Sequence, residues 1–251
     1  MKANDAAKQN RRGFLRAVGA ATASLAVGWL PLAAHAAPGA NAHLKIGVIG
    51  SGRIGGTLGE LWVKAGHEVM FSSIDLEHDK ELATSLGAGA RAGTPQEAAA
   101  FGEVLLVSVP YKALPQLGRD LANSIKGKVV LDTCNPIQAR DGDMAVEARA
   151  KGTGIASVEF LPGARLVRAF NTVGFSSLRS EAHRAGDKVA IPLAADDAGA
   201  LQIATRLVQD AGFEPVAVGP LKRAREFDVG TPVFGKALTA IELRKGLGMG
   251  S

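Results

Sequence analysis

Three glycines at fixed spacing, Gly50-Ser51-Gly52-Arg53-Ile54-Gly55, restrict what this chain can fold into more than any other feature. They follow a short apolar run, Leu44 to Ile49, and open a stretch in which Ile54, Leu58, Leu61 and Trp62 recur at helical spacing. Strand, glycine turn and helix in that order form the place where a dinucleotide pyrophosphate binds. Gly50 suits the tight turn, Gly52 leaves room for phosphate against the backbone, and Gly55 lets helix and strand pack closely. The helix start adds free N–H donors and a partial positive charge. In a chain with 31 glycines the spacing alone is weak. The alternative reading is a packing turn in a fold that has lost its ligand.

The rest of the chain continues the rhythm. Glu68 to Ser72 reads as a second strand, then a helix from about Lys80 to Leu86 and a short helix near Pro95 to Ala100. A strand at Val104 to Val109, a helix around Leu114 to Asn123, and strands at Lys128 to Leu131 and near Arg165 to Phe170 follow. This alternation predicts an α/β fold, a Rossmann-like doubly wound parallel sheet. Beyond Asn171 come a strand over 187–191, a helix from Ala198 to Ala211, a strand from Glu214 to Val218 and a final helix near Thr231 to Lys245. The expected organisation is a nucleotide-binding domain over 44–171 and a small C-terminal α/β extension over 172–251.

Residues 1–36 read as an address. Arg11-Arg12-Gly13-Phe14-Leu15-Arg16 precedes an uncharged stretch and the small-x-small pattern Ala34-His35-Ala36. The paired arginines resemble the twin-arginine export signal of bacteria. Glycine, proline and many alanines make the stretch poor as a spanning helix, so the expectation is a periplasmic protein that meets the membrane only in transit, cleaved after Ala36, with a linker over 37–43. An uncleaved anchor is the alternative. Five of the 29 basic and one of the 24 acidic groups lie in this segment, so the remainder carries a net charge of only +1 and no general attraction for nucleic acid. Cys134 is the single cysteine, so no intramolecular disulfide forms.

The second strand ends Phe71-Ser72-Ser73-Ile74, two hydroxyls and no carboxylate, which favours NADP over NAD; Asp75 lies close enough to reach the ribose instead. Arg53 adds charge to the glycine loop or stacks on adenine. From Lys45-Ile46-Gly47-Val48-Ile49-Gly50 through Ala65-Gly66-His67-Glu68-Val69, Val107-Ser108-Val109-Pro110, Asp132-Thr133-Cys134-Asn135-Pro136 and Arg168-Ala169-Phe170-Asn171-Thr172, the chain resembles the coenzyme F420-dependent NADP oxidoreductases. Ala195-Asp196-Asp197 and Val218-Gly219-Pro220-Leu221 extend the match. The resemblance implies that Ser51, Gly52, Arg53 and Ile54 line the pyrophosphate, within a cofactor loop that Gly50 and Gly55 complete as its turn and packing glycines. It implies too that Ser73 meets the 2′-phosphate, beside the Ser72 hydroxyl that the strand end also offers as a cofactor contact, that Val109 and Pro110 border the nicotinamide, and that Asn135 and Asn171 shape the cleft. The family commonly has Arg directly after the second-strand serine, where this chain has Ile74; His78 partly compensates or is simply exposed.

Hydride transfer is carried by the cofactors themselves, so no catalytic side chain is assigned. The histidines show no metal-ligand spacing and no metal site is expected. His67 reads as a packing residue, Cys134 as a small buried residue, Asp196-Asp197 as a helix cap, and Lys222-Arg223-Ala224-Arg225 as a solvated loop or a phosphate contact. The expected function is an NADP-dependent oxidoreductase passing hydride to or from F420 or a flavin-like small-molecule acceptor, with a homodimer possible. The acceptor slot is expected at Val109, Pro110, Val173 and Gly174. A non-catalytic nucleotide-binding module and a flavin-assisted metal-chelate reductase are the alternatives.

Overall fold

The apolar runs of this chain are strands buried on both faces. The structure, a computed structural model, describes residues 43–250; the expected export signal, the expected cleavage site and all but the last residue of the expected linker lie outside the described residues. Strands β1 (Lys45–Ile49), β2 (Glu68–Ser72), β3 (Ala90–Ala92), β4 (Val104–Val107), β5 (Val129–Asp132), β6 (Arg165–Arg168), β7 (Ala190–Ala195) and β8 (Glu214–Gly219) form one sheet in the order 3-2-1-4-5-6-7-8. Neighbours are parallel except β6 and β7, where Val167 faces Ala195 and Arg168 faces Ala194 in an antiparallel pair. The residues after Asn171 therefore widen the same sheet.

Alternation within each strand feeds two cores. Ile46, Val48, Val104, Leu106, Val129 and Leu131 point to one face, where they meet helices α1 (Arg53–Lys64) and, later in the chain, Ala198–Asp210. Ile49, Leu105, Val107 and Val130 point to the other, covered by α3 (Pro95–Phe101) and by the helices that follow β4 and β5. In chain order the helices are α2 (Leu76–Leu86), then after α3 the pair α4 (Leu114–Asp120) and α5 (Ala122–Ile125), α6 (Gln138–Asp141), α7 (Asp143–Lys151), α8 (Thr153–Phe160), α9 (Phe175–Ser180), α10 (Ala198–Asp210) and α11 (Ala240–Gly246). Trp62 on α1 is fully buried, donates its indole N–H to the Leu207 carbonyl of α10 at 2.8 Å and meets Phe170 edge-on. His67, also buried, accepts the Leu44 N–H on Nδ1, which leaves Nε2 to donate to Asp210 at 2.9 Å. It is a packing residue joining β1 to α10.

Several boundaries differ from the expectation, each for a local reason. α2 starts at Leu76, four residues early, because the Asp75 side chain accepts the His78 N–H and caps it. β3 was not expected; three residues with half-buried ends form a strand only by pairing with β2. α6 to α8 were not expected either, and α7 buries only Ala145 and Ala148, too faint a stripe to read. β7 occupies Ala190–Ala195 rather than 187–191, with Pro192 inside it. Pro192 lies beyond the end of β6, so its missing N–H takes nothing from that pairing. The final helix is only Ala240–Gly246: Gly235, at φ +77°, donates to the Thr172 carbonyl, and Thr239 with Glu242 closes a capping box further on.

Candidate active site

The carboxyl ends of β1, β2, β4, β5 and β6 bring most of the expected site residues to one edge of the sheet. The Gly50 N–H and Ser51 N–H both donate to the Ser72 carbonyl, at 2.8 and 3.0 Å, which pins the glycine loop to the end of β2. Gly50 has φ +99°, and a side chain there would collide with the Ser108 carbonyl. Gly55 is buried directly against the Gly50 carbonyl, so the helix can approach the strand only without a Cβ. Gly52 differs: a Cβ built there meets no protein atom within 4 Å. It is the N-cap of α1, carries no side-chain cap, and no acidic residue sits in the first helical turn. The N–H groups of that first turn lack intrahelical acceptors. An uncapped helix start facing open space fits a pyrophosphate.

Arg53, expected either to add charge to the glycine loop or to stack on adenine, is exposed and lies over the Phe175 ring at 4.9 Å. Ile54 is half-buried against the core. Ser72 is corrected as a phosphate contact: its side chain is fully buried and its hydroxyl donates to the Val48 carbonyl at 2.7 Å, leaving none for a ligand. Ser73 stands at the rim. Its hydroxyl donates to Asp79 at 2.9 Å and accepts the Asp75 N–H at 3.0 Å. Ser51 donates its hydroxyl to the other oxygen of Asp79, which is itself fully buried. Ile74, next to Ser73, is fully exposed.

β4 stops at Val107, so Ser108, Val109 and Pro110 form the loop beside Gly50. Val109 and Pro110 are half-buried and exposed respectively, and Gly174 is exposed with open space beside it; Val173 is buried in the core and lines no slot. Asn135 and Asn171 are brought together: the Asn135 amide donates to the Asn171 carbonyl at 2.8 Å. Asn171 is buried, donates to the Phe227 carbonyl at 3.3 Å, and its side-chain oxygen has no protein partner. The Cys134 thiol is buried, which pushes its pKa well up and makes it inert.

Behind the asparagines lies a cluster that was not expected. Arg168, fully buried at the end of β6, donates to the carbonyls of Asp132 and Cys134 at 3.1 and 2.8 Å, to the Asn135 side-chain oxygen at 3.1 Å and to Asp228 at 3.3 Å. It also lies 3.0 Å from the Asp132 carboxylate, close enough for an ion pair though not aligned for a hydrogen bond. Burial opposes the charge, but Asp132 and Asp228 outweigh it and raise the Arg168 pKa. Asp228 also accepts the Thr153 N–H at 3.0 Å, joining the start of α8 to β6. A charged residue between Val167 and Ala169 was the available signal, because a strand interior tolerates a charge only when it is paired.

Of the other sequence candidates, Asp197 caps α10 by accepting the Ala200 N–H at 2.7 Å, while Asp196 accepts the Leu221 N–H. The basic run 222–225 belongs to a 3₁₀ turn, Leu221–Phe227, in which Arg223 forks onto Glu226 and Lys222 and Arg225 are exposed. Among the described residues no group of three His, Cys, Asp or Glu side chains is placed to hold a metal ion, and no helix is long and apolar enough to cross a membrane.

Residues 45–136 match the model of a family described as NADP oxidoreductase, coenzyme F420-dependent. The F420-dependent NADP reductase of Methanothermobacter marburgensis strain Marburg is 30% identical over 205 residues, covering 76% of this chain and 91% of that relative. The chain belongs to the F420-dependent NADP oxidoreductase family. A second family member, the F420-dependent NADP reductase of Methanothermobacter thermautotrophicus strain Delta H, is 28% identical over 205 residues, 76% of this chain and 88% of its own. Two solved structures share the family fold at a TM-score of 0.65. A hypothetical protein from Sinorhizobium meliloti is 23% identical and aligns with 79% of this chain and 96% of its own. An Arthrobacter sp. FB24 protein named for F420-dependent NADP reduction is 22% identical, with 82% and 96% aligned.

Proposed function

We propose that the protein is an NADP-dependent oxidoreductase that moves a hydride between NADP(H) and the deazaflavin F420. The observation that carries this is the uncapped start of α1 facing the open space at Gly52, in a chain whose relatives are named for that reaction. Gly50, Ser51, Gly52, Arg53, Ile54 and Gly55 form the pyrophosphate loop, with the backbone N–H groups of the first turn of α1 as the donors. Ser73 borders the adenosine ribose. Val109 and Pro110 wall the nicotinamide end, and Asn135, held by Arg168 on one side and Asn171 on the other, fixes the floor. When bound, the two rings supply hydride donor and acceptor between them, and the protein's share is to orient them and exclude water. Gly174, exposed and open, stands where the acceptor would enter. The purified protein with NADPH and F420 should bleach the deazaflavin absorbance; NADPH binding without turnover on F420 or any flavin would leave only a nucleotide-binding module.

We further propose export by the twin-arginine route. Its support is Arg11-Arg12 and Ala34-His35-Ala36 in the sequence. A lysine pair at 11 and 12 should strand the precursor in the cytoplasm, as read by fractionation; unchanged export counts against the signal.

A further inference from the structure

We propose that Phe175 is a positioning residue for the nucleotide: its ring holds the Arg53 guanidinium over the start of α1, where that charge meets the pyrophosphate of NADP(H). The inference rests on the NADP(H) reading above and goes beyond it. It gives the segment after β6 a part in cofactor binding and makes a side chain of the glycine loop, as well as its backbone, a phosphate contact.

Arg53 carries its charge where a helix favours it least. It is the first residue of α1, at the positive end of the helix, and neither a capping side chain nor an acidic residue in the first turn offsets it. Among the described residues it forms no ion pair, and its guanidinium donates no hydrogen bond. Glu60, two turns further along α1, is engaged by Lys64 at 2.6 Å and by Arg179 at 3.6 Å. An anion is what this end of the helix lacks, and the open space beside Gly52 has room for one.

Side chains of a helix tilt toward its N-terminus, so that of Arg53 reaches over the helix start rather than back along it. There it lies 4.9 Å from the centre of the Phe175 ring. Stacking uses the flat face of the guanidinium and leaves the N–H groups around its rim unused, in the fork that grips phosphate oxygens two at a time. Phe175 is 38% exposed, whereas Leu178 on the same short helix is fully buried and roots α9 in the core. The Glu60–Arg179 pair joins the same two helices, so the ring is set in place by contacts other than its own. A long flexible side chain loses much of its freedom when it binds, and one already resting on a ring loses less.

The test is calorimetric binding of three probes to the full-length protein. NADPH is the first; 2′-phospho-ADP-ribose keeps the pyrophosphate but lacks the nicotinamide, and adenosine 2′-monophosphate lacks the pyrophosphate. Phe175→Leu keeps an apolar side chain without the π-face; it should weaken the first two by about threefold or more and leave the third within about twofold. Phe175→Tyr, which keeps the face, should restore the binding of the unaltered protein. Arg53→Ala should weaken the first two by about tenfold, and adding Phe175→Leu to it should change nothing further. Unchanged NADPH binding in Phe175→Leu overturns the proposal. So does a loss that persists in full in the Arg53→Ala background, because a residue that only packs α9 would act without Arg53. Equal weakening of adenosine 2′-monophosphate overturns it as well, since Arg53 would then serve the adenosine end. Should melting curves show Phe175→Leu unfolded, Arg53→Ala decides alone: normal binding of NADPH and 2′-phospho-ADP-ribose overturns the proposal. If the unaltered protein binds no NADPH, the NADP(H) reading itself falls and takes this proposal with it; tight binding that ignores both substitutions removes the proposal alone.

Discussion

Gly50 and Gly52 are two residues apart, yet a side chain at each would meet different things. At Gly50 the protein itself leaves no room, and the backbone is in the positive-φ region that disfavours a side chain. At Gly52 the protein leaves ample room. Gly50→Ala should therefore lower stability by about 2 kcal/mol or more, from strain and collision together. Gly52→Ala should leave the melting temperature nearly unchanged and still weaken nucleotide binding about tenfold or more, since its methyl fills the space a phosphate needs; Gly52→Asp should abolish binding. Thermal melts set beside nucleotide titrations separate the two, and a Gly52→Ala protein that binds as before would place the pyrophosphate elsewhere. The glycine loop was legible in the sequence because its parts are neighbours along the chain. Asp79 was not, because the serines it joins lie 28 and 6 residues away and meet it only once α2 is docked. One clue was present: Asp79 and Ala83 are one helical turn apart and both buried, so a carboxylate sits on the inward face of α2.

α10, whose start is fixed by a side chain next to it in the sequence, was easier to place than β3, which is fixed by a neighbouring strand. α10 begins where Asp197 caps it, and the same carboxylate pairs with Arg165 of β6 at 2.7 Å. The Arg165 hydrogen bond, then the Ala200 N–H, bring the Asp197 pKa down to about 2. Asp197→Ala should cost about 1 kcal/mol for the cap, with less than about 1 kcal/mol more for an ion pair this open to water. The sign follows from the lowered pKa. The stabilisation is whole above the ordinary aspartate range near pH 4 and is lost as pH falls towards 2, so the unaltered and Asp197→Ala proteins should converge in denaturant midpoint across that interval. A constant gap would mean that the charge contributes nothing. β3 shows the opposite case: nothing within its three residues makes it a strand, and only the exposed edge of β2 does.

At the scale of the whole molecule, Arg168 holds together what the chain order separates. It reaches Asp132 across 36 residues and Asp228 across 60. Replacing Arg168 with Met leaves two buried carboxylates without a counter-charge and should cost about 3–5 kcal/mol; Asp228→Asn, which still leaves one carboxylate facing one guanidinium, should cost clearly less in urea unfolding. The reverse order would show that the cluster is held by its hydrogen bonds to α8 rather than by charge. The parallel core of the sheet was legible from alternating strands and helices, but the reversal at β7 was not. The link between β6 and β7 contains one helix of six residues, α9. Nothing along the 21 residues between the two strands marks the direction in which the second will run. The next strand runs back the other way.

That reversal bears on how the chain behaves before it is complete. Until β7 arrives, β6 is the last strand of the sheet, with a row of backbone N–H and C=O groups unpaired and Leu166 and Val167 set among apolar neighbours. A chain ending between Arg168 and Ala195 should therefore associate with other copies more readily than the whole chain, which light scattering of the two side by side would show. β8, which eventually forms that border, is blunter: Glu214 and Ala217 are exposed and Pro215 interrupts its donors. The last third of the chain thus covers an edge that β6 alone would leave open, and ends the sheet on a strand less suited to pairing.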